Sequence, residues 1–211
     1  MSVLEKIAEA VLDGDEQAAS QLVQTALAES RPAKQILDQG LLAGMTEVGR
    51  RFRDGEYFLP EVLVAAEAMK KAMDVLRPSL SAQGVRAEAR AVIGTVRGDL
   101  HDIGKNLVAT MLASAGFEVE DLGVDVSPEQ FIEACHREPA QLVALSALLT
   151  TTMSEMRKIA ERIRQSLAPS PRILIGGAPV TQHYADEIGA DGYGRDAATG
   201  AEVAKRLCMP S

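Results

Sequence analysis

The chain has 211 residues, 46 % of them apolar, and a formal net charge of −8, which suits one large domain or two small ones with real cores. The acidic balance argues against nucleic-acid binding, which needs a basic footprint. No run of about 18 or more apolar residues occurs, so no membrane span is expected, and the charged start Met1–Glu16 lacks a signal-peptide apolar region, so a cytoplasmic protein is expected.

Residues 1–80 carry only helical periodicity. Val3, Leu4, Ile7, Val11 and Leu12 recur at helical spacing, and Gly14 stops that helix. Asp15 caps a second helix to about Leu27, on which Ala18, Leu22 and Ala26 recur every fourth residue. Pro32 opens a third, through Ile36, Leu37, Leu41 and Val48 to about Phe52, broken by Asp54-Gly55. Pro60 opens a fourth, through Leu63, Ala66 and Met69 to Leu76, and Pro78 is expected to end it. The spacing predicts an antiparallel four-helix bundle over 1–80. The small, polar segment Ser79–Glu88 reads as an interdomain linker, placed at 81–88.

From Ala89 the pattern changes. Ala91–Val96, Phe117–Leu122, Leu142–Leu145, Arg172–Ile175 and Asp191–Tyr193 read as short strands. Helices are predicted between them, at about Lys105–Ala115, from Ser127-Pro128, at Thr152–Leu167 and after Pro179, with a last one from about Asp196. Alternation of strand and helix predicts an α/β fold over 89–211, a doubly wound five-stranded parallel sheet. Ligands in such sheets bind beyond the strands' carboxyl ends.

Three loops there carry chemistry. The first holds Asp99-x-His101-x-x-Gly104. The second holds Ser146-x-Leu148 and Thr150-Thr151-Thr152. The third holds Gly176-Gly177. A neutral imidazole is a good transition-metal ligand when a partner fixes its second nitrogen. Asp99, two residues away, can accept that N–H, and Thr152 can hydrogen-bond the carboxylate in turn. Gly104 lets the backbone pass close to a large flat ligand, and Gly176-Gly177 removes side chains where a long appendage would lie. Taken singly, each signal has a plainer reading: a loop with a satisfied histidine, a strand end and helix cap at Ser146 and Thr152, and an ordinary turn at the glycines. Their arrival in order at one sheet edge favours a common site.

These motifs resemble the cobalamin-binding pattern of methionine synthase and of the corrinoid proteins of methanol, methylamine and methoxy-aromatic methyltransferase systems. The resemblance covers nearly the whole chain, with residues 1–80 similar to that family's helical cap and the sheet region to its flavodoxin-like cobalamin domain. It implies a cobalamin or related corrinoid as cofactor, with His101 as the lower axial ligand of cobalt and Asp99 and Thr152 as its relay partners. Ser146, Leu148, Gly176 and Gly177 are then expected to line the nucleotide-tail pocket, with Gly104, Thr150 and Tyr193 as further cofactor contacts. Thr152 stands where methionine synthase has a serine; the hydroxyl is kept. In the aromatic segment Phe52–Pro60, Phe52 and Leu59 match cap residues that shield the corrin's upper face, although apolar side chains there can equally be bundle core.

The implied function is a methyl carrier, which accepts a methyl group on cobalt from a substrate methyltransferase and delivers it to a second methyltransferase acting on a thiol or pterin. The chain is then non-catalytic alone, with a reductive activating protein as a further partner. Two alternatives share the motifs: a cobalamin-dependent regulator or sensor, and the cobalamin subunit of an adenosylcobalamin mutase. Elsewhere, His136 is expected to meet the carbonyls at a helix end and His183 to be exposed. Cys135 and Cys208, without metal-finger spacing, are expected as free thiols.

Overall fold

The computed structural model describes residues 1–85, 87 and 89–209, and the chain divides into two units, Met1–Arg86 and Ala87–Ser211. The first unit is helical. Helix α1, Val3–Leu12, starts at a capping box in which Ser2 and Glu5 bond each other's backbone amides. Helix α2, Glu16–Ala28, is capped by Asp15, whose Oδ1 accepts the Ala18 N–H at 2.8 Å. Its fully buried stripe is Ala19, Val23 and Ala26. The expected residues Ala18 and Leu22 flank that stripe and are half-buried.

The expected third helix is α3, Ala33–Ile36, then a π-turn at Leu37–Leu41, then α4, Leu42–Arg53. Gly40 and Gly44 explain the close packing on α1. A Cβ on Gly40 would lie 3.0 Å from Ile7 Cγ2, and one on Gly44 would lie 2.7 Å from the Ala8 carbonyl oxygen. Helix α5, Leu59–Ala82, corrects two expectations. Pro78 lies inside it and does not end it. Proline cannot donate to the Asp74 carbonyl, but Leu76 and Leu80, one turn apart, are buried on either side of it, and their burial offsets the lost bond. The expected linker 81–88 therefore begins within α5; Arg86 and Glu88 in it, like Pro210 and Ser211, lie outside the described residues. Leu63, expected in the core, is exposed with Val64, while Val62, Ala65 and Met69 are buried.

The second unit has a five-stranded parallel sheet in the order β2-β1-β3-β4-β5. The strands are β1 Ala89–Thr95, β2 Phe117–Asp121, β3 Leu142–Ser146, β4 Arg172–Gly176 and β5 Gly192–Gly194. The helices are α6 Ile103–Ser114, α7 Pro128–Arg137, α8 Met153–Ser166, α9 Gln182–Ile188 and α10 Ala197–Cys208. All seven residues of β1 are buried, as a central strand covered on both faces requires. Arg90 at its start is ion-paired to Glu120 and Glu138. On one face Val92, Val143, Leu145, Ile173 and Ile175 pack against Phe131, Met156, Ile159 and Ile163 of α7 and α8. Helices α6 and α10 pack together elsewhere in the unit, α10 also against β4 and β5 and α6 against β1 and β2. The strand order reverses between β1 and β3, and beyond the carboxyl ends at such a switch point is where ligands bind in open α/β sheets.

Candidate corrinoid site

After β1 the chain turns through Gly98, and Asp99 N–H returns to the Val96 carbonyl at 3.1 Å. This tucks the Asp99 side chain inward, where it is fully buried. Its carboxylate accepts five donors. Oδ1 takes the backbone N–H of His101 at 3.1 Å and the ring Nδ1 at 2.7 Å. Oδ2 takes the amides of Leu148 and Leu149, at 2.8 and 3.3 Å, and the Thr152 hydroxyl at 2.8 Å. Burial alone would push this carboxyl's pKa up. The bonds from His101, the Leu148 amide and Thr152 outweigh that and hold it well below the usual carboxylate range.

Asp99 is therefore ionised at neutral pH and has no proton to share. The hydrogen in the 2.7 Å contact belongs to Nδ1, so a neutral His101 carries its lone pair on Nε2. The ring is half-exposed, at 51 %. Its carbonyl is held by the buried Thr95 hydroxyl at 2.8 Å. The result is an imidazole with one nitrogen fixed and a half-exposed ring, an arrangement that suits a metal ligand.

Thr152 occupies the N-cap position of α8, yet its side chain makes no capping bond. Its single proton has two acceptors, Asp99 Oδ2 at 2.8 Å and the Leu149 carbonyl at 2.9 Å. The methyl that distinguishes it from serine lies 3.7 Å from where a Cβ on Gly98 would be.

The rest of the sequence-predicted set divides. Leu148 joins the centre through its amide while its side chain is exposed, and Thr150 is exposed in the same loop. Gly104, in the first turn of α6, faces open space: nothing lies within 4 Å of a Cβ built there. Ser146 and Gly176 are neighbours in a register row that runs Thr95, Ser146, Gly176, Gly194 across four strands. Gly177 has φ +128°, and a Cβ there would meet the Ala147 carbonyl oxygen at 1.9 Å, so only glycine fits. Tyr193 is separated from this row. It pairs with Ile175 and packs into the core on the α7–α8 face, opposite the row by strand alternation. Phe52 and Leu59 belong to the helical unit, Phe52 half-buried at the end of α4 and Leu59 part-exposed at the start of α5. His136 is exposed in the last turn of α7, and His183 is exposed on α9. Burial pushes the Cys135 and Cys208 thiols up to about 11, so neither is a thiolate at neutral pH.

Sequence reasoning missed Thr95, Asp121 and Asp125. Lys105 is buried with its ammonium on Asp121 and on Asn106, and Asp125 accepts the Gly98 N–H at 2.7 Å. An acidic pair bracketing Gly123 just past β2 was the available signal.

The donor set can be tested against a ligand. Among the described residues no group of three or more His, Cys, Asp or Glu is placed to hold a bare metal ion. One oriented imidazole suits a metal whose other positions come with a macrocycle. Four apolar side chains on the flanking loops and the first residue of α6, Leu100 (71 % exposed), Ile103 (75 %), Leu148 and Leu149, face solvent, a costly arrangement unless a large apolar ligand covers them. The residues fit a corrinoid. Comparison with known proteins agrees. The family described as B12 binding domain matches residues 89–202, and a second family of the same description matches residues 3–77. A corrinoid protein of Desulfitobacterium hafniense (strain Y51) is 38 % identical over 98 % of both chains. Trimethylamine corrinoid protein 1 of Methanosarcina acetivorans is 42 % identical over 92 % of both. The methanol:cobalamin methyltransferase complex MtaBC of Methanosarcina barkeri contains a chain that superposes with a TM-score of 0.86 at 28 % identity, covering 99 % of this chain and 80 % of that one. With the ligand geometry and both halves of the chain accounted for, this protein belongs to the B12-binding family, among the corrinoid proteins.

Proposed function

We propose that this protein is a methyl-carrying corrinoid protein in which His101 would hold the cobalt and Asp99 and Thr152 would tune that ligation. One observation supports this above the rest: the ionised, fully buried Asp99 accepts the Nδ1–H of His101 and leaves the lone pair on Nε2. When bound, the corrinoid supplies the cobalt on which a methyl group is taken up and given away. The chain's own residues orient, hold and cover. Asp99 keeps the imidazole in one tautomer and one orientation. The Thr152 proton can turn from Asp99 to the Leu149 carbonyl without losing a partner, which leaves Asp99 with four donors and a stronger pull on the His101 N–H. Ser146, Gly176 and Gly177 form a sheet edge without bulky side chains for the nucleotide tail, with Gly104 and Thr150 as nearer contacts. Phe52 and Leu59, in the helical unit, are proposed as apolar cofactor contacts.

The partners follow from the same reading: a substrate-specific methyltransferase, an acceptor methyltransferase and a reductive activating protein, in the cytoplasm. Among the described residues no helix is long and apolar enough to cross a membrane. The test is a visible spectrum of the protein reconstituted with cobalamin. Wild type is expected to give a base-off, histidine-on spectrum, and His101→Ala a ligand-free one. Identical spectra would reject the ligand assignment.

A further inference from the structure

We infer that Asp125, in the loop between β2 and α7, is a positioning residue for His101; the inference rests on the corrinoid reading above and extends it to a residue outside the ligand, carboxylate and hydroxyl chain. Asp125 makes reciprocal bonds with the segment that carries Asp99. Its Oδ1 accepts the Gly98 N–H at 2.7 Å, and its own N–H donates to the Asp99 carbonyl at 3.0 Å. The two bonds grip the backbone on both sides of the Gly98–Asp99 peptide, so they set where the Asp99 side chain leaves the main chain. Asp99 in turn sets the His101 ring.

The backbone conformation points the same way. Asp125 has φ +56°, and among the described non-glycine residues only Ser30 shares a positive value. A left-handed residue other than glycine costs of order 1 kcal/mol. Here that conformation aims the amide and the carboxylate of one residue at the same neighbouring turn. Neither Gly98, at φ +81°, nor Asp99 could offer those backbone groups in a regular strand.

The rest of the loop reinforces the grip. Gly123 carbonyl accepts the Thr95 N–H at 3.0 Å, and Val126 N–H donates to the Thr95 carbonyl at 3.0 Å. Asp121 holds the Lys105 ammonium at the start of α6 and takes the Gly123 amide on its other oxygen at 2.8 Å. The loop from Asp121 to Val126 thus touches the His101 segment before it, within it and after it. Asp125 is the contact nearest the carboxylate and its side chain is exposed, so it can be changed without opening the core.

The experiment compares Asp125→Asn with Asp125→Gly. Asparagine keeps an oxygen acceptor and tolerates positive φ; glycine keeps the backbone freedom and removes the acceptor. The first readout needs no cofactor: ring ¹⁵N shifts of His101 in the apoprotein, which report the Nδ1–H tautomer and its exchange. Asp125→Asn is expected to match wild type. Asp125→Gly is expected to show exchange-averaged ring shifts and, with aquacobalamin, a histidine-on fraction reduced about threefold to tenfold. Unchanged ring shifts and an unchanged spectrum in Asp125→Gly would overturn the inference. Should that variant not fold, amide exchange in wild type decides: a protected Gly98 N–H supports the grip, and a freely exchanging one overturns it. A failure of the ligand reading is separate, because it shows in the His101→Ala spectrum and leaves the apoprotein shifts interpretable.

Discussion

Replacing Asp99 by asparagine swaps one acceptor oxygen for an NH₂ group at nearly constant volume, so its consequence can be worked out from who faces each atom. If the amide oxygen takes the place of Oδ1, the NH₂ confronts the amides of Leu148 and Leu149. Those backbone donors cannot change sign, and two N–H groups lose their acceptor. If the oxygen takes the place of Oδ2, the Leu148, Leu149 and Thr152 bonds survive. The NH₂ then confronts the His101 backbone N–H and ring Nδ1. One of these can adapt: an imidazole can move its proton to Nε2 and accept on Nδ1. A buried donor without a partner costs about 1–3 kcal/mol, so the second orientation wins by roughly one such penalty. Asp99→Asn therefore flips the tautomer and puts a proton on the nitrogen that should meet cobalt.

The size of the effect follows from the bond removed. A hydrogen bond to a charged group contributes about 1.5–3 kcal/mol, or about ten- to hundred-fold in an equilibrium constant. The histidine-on equilibrium of the cobalamin-loaded variant should fall by that factor, as loss of an outer partner does at other metal sites. Two assays check it. Ring ¹⁵N shifts of the apoprotein should show Nε2–H in place of Nδ1–H, and a visible titration should give the histidine-on fraction. A variant that keeps the Nδ1–H tautomer and wild-type ligation would refute the claim that Asp99 chooses the tautomer.

Other consequences are as specific. The Asp99 pKa is depressed on folding, so its stabilisation is complete above the unfolded value, about pH 4, and is lost as pH falls through the lower folded value. Urea unfolding of wild type and Asp99→Asn should give a stability difference that shrinks as the pH falls below about 4. Thr152→Ser should keep wild-type ligation, since the hydroxyl is retained, whereas Thr152→Val should lose about 1 kcal/mol of it, read as a fivefold drop or so in the histidine-on fraction. Gly177→Ala should lower the thermal midpoint even without cofactor, because its Cβ would land 1.9 Å from the Ala147 carbonyl oxygen. An apoprotein that melts like wild type would mean the loop yields more easily than this contact implies.

What was legible in the chain follows from how each contact is made. His101 and Asp99 are two residues apart, so their pairing is local. Thr152 is distant in sequence, but strand alternation placed both loops at one carboxyl edge. Pro78 misled because the rule that proline stops helices weighs one lost bond and is blind to the burial of Leu76 and Leu80 around it. Strand alternation sets Tyr193 apart from the glycine row: Gly194 belongs to the row with Ser146 and Gly176, and its neighbour does not.

Asp125 marks the deeper limit. Its partners are the backbone amide of Gly98, 27 residues away, and a backbone carbonyl, and no side-chain type announces a backbone partner. The same holds at the centre of the site. Three of the five donors to Asp99 are backbone amides, from His101, Leu148 and Leu149, and an uncompensated carboxylate could not stay ionised where Asp99 lies. The two motif side chains thus name an imidazole and the carboxylate that orients it, but the charge on that carboxylate also rests on main-chain amides brought there by the fold. An Asp-x-His pair buried as deeply without those amides would face the same desolvation with fewer donors to hold its charge.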